Sequence, residues 1–165
     1  MNEIERQHIV VGVSGSRASV AALRWAADEA LRRHAMLKVI CAWDSSLRPA
    51  PYADVSEGCP DEEARAALHT AVGAAFGPAP PTGLDTELAE GTPERVLVSR
   101  SATADLLVLG TPRSQDAAGL SVGPVIRTCL IRARCPVVVV SPGSDQESGR
   151  PGGTRPPRAP VLAGS

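Results

Sequence analysis

The sequence predicts a single α/β domain in which four helices cover a five-stranded parallel sheet. Short runs rich in β-branched residues alternate strictly with segments of helical periodicity, and 165 residues are enough for one domain with a full core. Strict alternation favours parallel strands, because each right-handed crossover must lay its helix on one face of the sheet. Since only 2% of the residues are aromatic, we expect a core of Val, Leu, Ile and Ala.

The first strand and the first helix begin close to the N-terminus. The run from His8 to Val13 is rich in β-branched residues, which is typical of a buried parallel strand. Ser16 or Ser19 is placed to cap the helix that follows. Apolar residues at helical spacing predict the buried face of that helix: Val20, Leu23, Ala27, Ala30 and Leu31.

The middle of the chain supplies two more strands with a helix between them. A strand is predicted over 37–43, and the turn-forming residues of 47–60 indicate an irregular connection. The acidic residues 61–63 favour the start of an Ala-rich helix that ends near Phe76. Residues 84–89 alternate apolar and acidic side chains, as a strand with one solvated face does.

The last part of the domain completes the alternating pattern. Thr92 followed by Pro93 predicts the start of a third helix. Strands at 105–109 and 136–140 enclose a fourth helix at 125–134. The valines of the last strand have two interpretations, a strand buried on both faces or an edge at which two copies of the chain pair.

Composition divides the chain into three parts. Residues 1–7 are an N-terminal extension, residues 8–141 are the α/β domain, and residues 142–165 are a tail dominated by Pro and Gly. The tail has few large apolar residues to offset the entropy of ordering it, so we expect it to be disordered.

The charge and hydropathy of the chain argue against two classes of partner. The net charge is only −1, so neither nucleic acid nor an anionic membrane is an expected partner. No apolar run reaches the length of a transmembrane helix, and the first residues lack the pattern of a secretory signal. We therefore expect a cytoplasmic protein.

The cysteines and histidines form no recognisable catalytic or metal-binding motif. Cys41, Cys59, Cys129 and Cys135 include no CxxC pair, and a cytoplasmic chain keeps its thiols reduced. The three histidines are far apart in sequence. We expect buried structural thiols, one exposed loop thiol at Cys59, structural or surface histidines, and no catalytic or metal-binding residue.

Small residues follow two of the predicted strands. Ser14, Gly15 and Ser16 follow the first strand, and a loop leads from Gly110, after the fourth strand, to Gly123 at the next helix. Glycines in such loops let backbone N–H groups approach a phosphate, and ligands of parallel sheets bind beyond the carboxyl ends of the strands. We predict that the two loops form one crevice. A turn or close helix packing is a second explanation for Gly110 and Gly123.

Five segments of the chain resemble the universal stress protein family. They are HIVVGVSGS, RASVAALRWAADEALRR, CAWD, EGTPERVLVSRSATADLLVLG and ARCPVVVV, and they occur in the expected order over nearly all of residues 8–141. The resemblance implies a five-stranded parallel α/β domain in the cytoplasm, commonly a homodimer. Some members of the family bind ATP and others do not, and neither group has an established catalytic activity.

The chain departs from the motif of the ATP-binding members. That motif is Gly, two residues, Gly, nine residues, then Gly followed by Ser or Thr. Gly110 and Gly123 match its first and third glycines, whereas Arg113 stands at the second and Pro124 at the hydroxyl position. The degenerate motif implies that tight ATP binding is weakened or lost, because Arg113 adds a bulky side chain and Pro124 removes an N–H.

Two further positions are carried over from the resemblance. The ATP-binding members have Asp near the nucleoside at the end of the first strand, where this chain has Ser14. Ala42 corresponds to the position whose backbone meets adenine. No cofactor is therefore assigned with certainty, and ATP and AMP are the candidates.

The sequence leaves three functional hypotheses. The first is a regulatory or protective stress protein whose crevice holds an adenine nucleotide weakly or not at all; alternatively, Arg113 grips phosphate and the chain binds ATP or AMP. The second is a module that forms homodimers and acts on unidentified protein partners without a ligand. An ATP-using enzyme is disfavoured, because Asp44 and Asp116 are the only carboxylates near the loops and have no evident partner.

Overall fold

One parallel sheet with helices on both faces forms the described part of the chain. The computed structural model describes residues 6–47, 60–112 and 122–143. Its elements are, in chain order, β1 (His8–Gly12), α1 (Arg17–Arg33), β2 (Met36–Trp43), a 3-10 turn (Ser45–Leu47), α2 (Pro60–Phe76), β3 (Leu84–Glu90), α3 (Pro93–Ser101), β4 (Leu106–Gly110), α4 (Pro124–Arg132) and β5 (Val137–Val140). The five strands lie in the order β3-β2-β1-β4-β5. The predicted fold class is confirmed.

The core consists of aliphatic side chains on both faces of the sheet. Alternate residues of the central strands point to opposite sides, so Val11 and Val108 pack with α1 and α2, whereas Val10 and Leu107 pack with α3 and α4. These side chains are almost completely buried. Burial on both faces explains why the central strands β1 and β4 are continuous apolar runs rather than alternating ones.

The buried face of α1 differs from the predicted one at Leu31. Leu31 is 77% exposed, and the helix packs on the sheet mainly through small residues such as Ala22 and Ala26, which are fully buried. Successive residues of a helix are offset by about 100°, so the burial of Ala30 turns its neighbour Leu31 outwards. The prediction that Leu31 belongs to the buried face is therefore wrong.

Gly110 owes its identity to close packing of α1 against the end of β4. A Cβ atom on Gly110 would lie 2.1 Å from the carbonyl oxygen of Ala18 and 2.7 Å from the backbone nitrogen of Ser19. Both are backbone atoms, which cannot give way as a flexible side chain does. Of the two explanations for this glycine that need no ligand, the structure supports close helix packing.

Strand β5 is an edge strand that pairs with β4. Its residues Val137–Val139 are half-buried and Val140 is buried. The interpretation of a strand buried on both faces therefore holds for Val140 alone. Near this strand, the end of α4 carries two exposed apolar side chains, Leu130 and Ile131.

At the opposite edge of the sheet, a network of charges joins β2, β3 and α3. Lys38 of β2 lies 2.9 Å from a carboxylate oxygen of Glu87 and 3.3 Å from one of Asp85, both on β3. Arg100 of α3 also pairs with Glu87. Hydrogen bonds from Arg100 and Lys38 lower the pKa of Glu87 to about 2.

The thiols and imidazoles of the described residues occupy unremarkable positions. Cys41 and Cys129 are buried, and Cys135 is half-buried. Burial raises the pKa of Cys129 to about 11, so this thiol is a poor nucleophile at neutral pH. The histidines are exposed, in agreement with the surface positions predicted for them.

Some predictions concern residues outside the described ranges. They include the loop thiol Cys59, most of the irregular connection 47–60 and the disordered tail beyond residue 143. Among the described residues, no helix is both long enough and apolar enough to cross a membrane.

We predict opposite effects of alanine at two glycines. Gly110→Ala is expected to destabilise the fold by about 2–3 kcal/mol, because α1 must move away from β4. Gly73→Ala, in the last turn of α2 with nothing of the described structure within 4 Å of the added Cβ, is expected to be stabilising by about 0.5 kcal/mol. Urea unfolding followed by circular dichroism measures both, and an equal effect of the two variants would contradict this account of Gly110.

The charge network predicts a pH-dependent contribution of Glu87. Its pKa is about 2 in the folded protein against an ordinary value of 4.5, so its stabilising effect is complete above the ordinary pKa and lost as the pH falls towards 2. Glu87→Gln is expected to lower the free energy of unfolding by on the order of 1 kcal/mol at neutral pH. This difference from the wild type should disappear as the medium is acidified. Asp28→Asn, at an exposed position on α1, is the control. If Glu87→Gln differed from the wild type by the same free energy of unfolding at every pH, the charge of Glu87 would not be the source of the stabilisation.

Candidate functional site

A cavity opens at the carboxyl ends of β1 and β4, where the order of the strands reverses. From the middle of the sheet outwards, the strands follow one another as β1, β2 and β3 on one side and as β4 and β5 on the other. The gap between β1 and β4 is therefore the topological switch point. The cavity has a volume of about 440 Å³. Its described lining consists of Gly12, Val13, Ser14, Ser16, Ser19, Ile40, Ala42, Pro93, Leu97, Leu109, Gly110, Pro112, Gly123, Pro124, Val125 and Ile126.

Three serine hydroxyls form one wall, at the start of α1. The hydroxyl of Ser16 caps the helix by accepting a hydrogen bond from the N–H of Ser19 at 3.2 Å. Ser19 donates its own hydroxyl to the carbonyl of Ser16 at 2.8 Å. Ser14 donates to the hydroxyl oxygen of Ser16 at 3.3 Å. The predicted capping position is therefore Ser16, and the turn between β1 and α1 is held by its own side chains.

Ala42 lines the cavity, and the direction of its backbone groups follows from the hydrogen bonds of its neighbours. On the β1 side, the carbonyl of Ile40 accepts a hydrogen bond from the N–H of Val13. On the β3 side, the carbonyl of Trp43 accepts one from the N–H of Gly91. Backbone groups of successive strand residues alternate in direction, so the N–H and C=O of Ala42 face the β1 side, where the ladder has ended. Ala42 thus offers the cavity one donor and one acceptor next to each other.

The opposite wall is the start of α4. Gly123 is the N-cap of this helix and gives it no side-chain hydrogen bond, and Pro124 in the first turn has no N–H. A Cβ atom on Gly123 would meet nothing within 4 Å among the described residues, and the backbone of Gly123 is extended with φ −65°. Neither turn geometry nor packing therefore requires a glycine here, in contrast to Gly110. The absence of a side chain keeps the mouth of the cavity open.

The described lining is apolar on its floor and electrically neutral. Ile40, Leu97 and Leu109 contribute apolar surface, and none of the lining residues named above is ionisable. The starts of α1, α3 and α4 all reach the cavity, and helix N-termini carry partial positive charge. The cavity therefore favours a ligand with an apolar, ring-shaped part and an anionic part.

Asp44, one of the two carboxylates singled out from the sequence, is not among the described residues that line this cavity. Asp44 accepts hydrogen bonds from the N–H and the hydroxyl of Ser46, which lower the pKa of its carboxyl. These bonds also explain the 3-10 turn after β2, which the sequence did not predict. Asp116 lies outside the described residues, and within the described ranges no group of His, Cys, Asp and Glu is suited to a metal ion.

The structure brings together four of the five predicted site residues. Ser14, Ala42, Gly110 and Gly123 line the same cavity, and Arg113 lies outside the described residues. Sequence reasoning missed the apolar floor, because those residues belong to strands and helices whose hydrophobicity already had an explanation in the core. Pro93 was identified as a helix start, but its place in the wall depends on tertiary packing.

The described residues fit an adenine nucleotide. The volume is within the range of small-molecule sites, and the backbone pair at Ala42 matches the donor and acceptor on the Watson–Crick edge of adenine. The open N-terminus of α4 suits a phosphate. In such a complex Ala42 and the apolar floor would hold the base, and the start of α4 at Gly123 would hold the phosphate.

Comparisons with known proteins agree with the fold and with the resemblance of the sequence. The model of the universal stress protein family matches residues 5–141. Universal stress protein Rv3134c of Mycobacterium tuberculosis is 34% identical over 134 residues, which cover 81% of this chain and 48% of that protein. The chain thus spans about half the length of the curated relatives that it matches.

Solved structures of universal stress proteins superpose on this chain. UspA from Lactobacillus plantarum superposes with a TM-score of 0.63 at 26% sequence identity, covering 81% of this chain and 97% of that one. A universal stress protein crystallised in complex with cAMP superposes with a TM-score of 0.60 at 25% identity, covering 82% of this chain and 97% of that one.

Proposed function

Given that the chain belongs to the universal stress protein family, we propose that it is a non-catalytic regulator whose crevice binds an adenine nucleotide. The observation that carries the proposal is the convergence of Ser14, Ala42, Gly110 and Gly123 on one neutral cavity at the switch point of the sheet. Occupancy of the crevice would alter which proteins the chain associates with. A cytoplasmic location and a role in stress response belong to the same proposal.

Recognition of the base rests on backbone groups and apolar contacts. The N–H of Ala42 donates to an adenine ring nitrogen, and its C=O accepts from the exocyclic amine. Guanine presents the opposite polarity at the corresponding positions, so it is expected to bind less well. Ile40 and Leu97 pack on the faces of the ring. The solved relative in complex with cAMP, which also carries an adenine base, supports this assignment.

The phosphate end of the crevice is weaker than an intact phosphate loop. Pro124 provides neither an N–H nor a hydroxyl, and Gly123 adds no side-chain donor. These losses weigh most for a triphosphate, which needs many donors. We therefore propose weakened ATP binding, with a monophosphate such as AMP retained. Arg113 is the candidate for a replacement contact, through bidentate pairing with a phosphate.

A regulatory role suits the described lining better than catalysis does. A catalyst of ATP turnover needs an acid, a base, a nucleophile or metal ligands next to the reacting phosphate. The described part of the lining contributes serine hydroxyls as its only side-chain polar groups, and Ser16 and Ser19 are engaged in capping α1.

The half-exposed strand β5 favours a second candidate function, a homodimerising module that acts without a ligand. Val137–Val139 leave apolar surface at the edge of the sheet, and α4, the helix before this strand, carries the exposed side chains of Leu130 and Ile131. Curated relatives about twice as long as this chain have room for a second domain beside the matched one. A second copy of the chain is the partner we propose for this surface.

Nucleotide binding is tested by isothermal titration of the purified protein with AMP, ATP and GMP. We expect AMP to bind more tightly than either ATP or GMP. Gly123→Leu should weaken AMP binding by about tenfold or more without loss of thermal stability, because its side chain enters the mouth of the cavity and its Cβ atom has nothing of the described structure within 4 Å. Thr82→Leu, in the turn before β3, is the control. Absence of heat with all three nucleotides would refute the proposal.

Dimerisation is tested by light scattering coupled to size-exclusion chromatography. The wild type is expected to have twice the mass of one chain, and the double variant Leu130→Glu/Ile131→Glu to have the mass of one, because charge at the contact opposes burial. Leu31→Glu introduces the same charge at another exposed leucine and should remain dimeric. A monomeric wild type, or a double variant that stays dimeric, argues against this surface.

A further inference from the structure

A second cavity opens at the opposite end of the sheet, where β2 and β3 begin. This amino-end cavity has a volume of about 480 Å³. Its described lining comes from the residue Arg6 before β1, the last turns of α1, the first residues of β2 and the turn that leads into β3. Since β2 extends over Met36–Trp43, a strand about 25 Å long separates this cavity from the crevice. The two share no described lining residue.

The amino-end cavity has a largely apolar wall. Ala27 and Ala30 line it from α1, where their small side chains leave room, and Met36 and Leu84 line it from the two strands. Leu31 lines it as well, although the hydrophobic core gives no reason for a leucine at this exposed position. An apolar ligand in the cavity would remove the side chain of Leu31 from water, which is favourable.

The only ionisable side chains of the described lining are those of Arg6 and His34. Within the part of the chain that the structure describes, the one polar contact of Arg6 joins its Nη1 to the thioether sulfur of Met36 at 4.0 Å, and a thioether is a weak acceptor. A guanidinium pairs with a carboxylate through two parallel hydrogen bonds, and the imidazole of His34 supplies a further N–H donor. The described lining therefore favours an anionic group and has no carboxylate to oppose it.

The carboxyl end of α1 also lies at this cavity, and its carbonyl groups are capped. The carbonyl of Ala30 accepts a hydrogen bond from the N–H of Ala35 at 2.8 Å. The carbonyl of Leu31 accepts one from the N–H of His34 at 3.3 Å. Glu29, near the same end of the helix, is paired with two arginines of the last turn. The negative end of the helix therefore opposes an anion less than an uncapped end would.

We propose that the amino-end cavity binds a small amphipathic carboxylate, a molecule with an apolar chain and one carboxylate group. Arg6 and His34 hold the carboxylate, and Leu31, Met36 and Leu84 cover the chain. The guanidinium is the one permanent charge of the described lining, which favours a single negative charge on the ligand. The inference does not depend on nucleotide binding, because the crevice lies at the other end of the sheet.

Isothermal titration with octanoate and with 1-octanol tests the inference, because the two probes share an apolar chain and differ in charge. We expect the dissociation constant of octanoate to be about fivefold lower than that of octanol. Arg6→Gln should weaken octanoate binding by about fivefold and leave octanol binding unchanged. Arg65→Gln, which removes the same charge at an exposed position of α2, is the control and should bind both probes as the wild type does.

A variant at Leu31 tests whether the probes occupy this cavity. Leu31→Asn should weaken the binding of both probes by about tenfold, because it removes apolar surface that the chain would cover. The exposure of Leu31 makes a loss of folding unexpected, and circular dichroism checks this. Equal affinity for the two probes, equal losses in Arg6→Gln and Arg65→Gln, or unchanged binding in a folded Leu31→Asn would each overturn the inference. Failure of the wild type to bind either probe overturns it too and leaves the nucleotide proposal untouched.

Discussion

The contact between Gly110 and the first turn of α1 is the constraint on which the crevice depends. Backbone meets backbone there with no room for a Cβ atom, so the start of α1 is fixed against the end of β4. This contact fixes one wall of the crevice relative to the end of β4, because the serines at the start of α1 form that wall. Because they pack so closely, the end of β4 and the start of α1 cannot shift independently of each other.

The crevice is defined by backbone more than by side chains. Its donors and acceptors are those of Ala42 and of helix starts, and its apolar floor is shared with the hydrophobic core. A site of this kind keeps its shape when individual side chains change, because strands and helices hold the backbone in place. It also means that a side chain gained or lost at the mouth, as at Ser14 or Gly123, changes affinity and specificity more readily than it changes the fold.

The sequence predicted the fold well because the relevant signals are local. β-Branched runs and helical periodicity identify each element, and strict alternation leaves few topologies. The exposure of Leu31 was not predictable, since periodicity describes a helix face without saying which residues the sheet reaches. The sequence also could not distinguish Gly110 from Gly123, because both are glycines next to a loop. In the structure, Gly110 lies against the backbone of Ala18, whereas a Cβ atom on Gly123 has nothing of the described structure within 4 Å.

The two edges of the sheet differ in chemistry, and the difference would limit the size of an assembly built through the dimer surface proposed above. The β3 edge carries Asp85, Glu87 and the charges that pair with them, whereas the β5 edge carries valines. Charged edge strands resist the addition of a further strand. A second copy joined at β5 would leave only the charged β3 edges outermost. An assembly built in this way closes at a pair and has no apolar edge from which a fibre could extend.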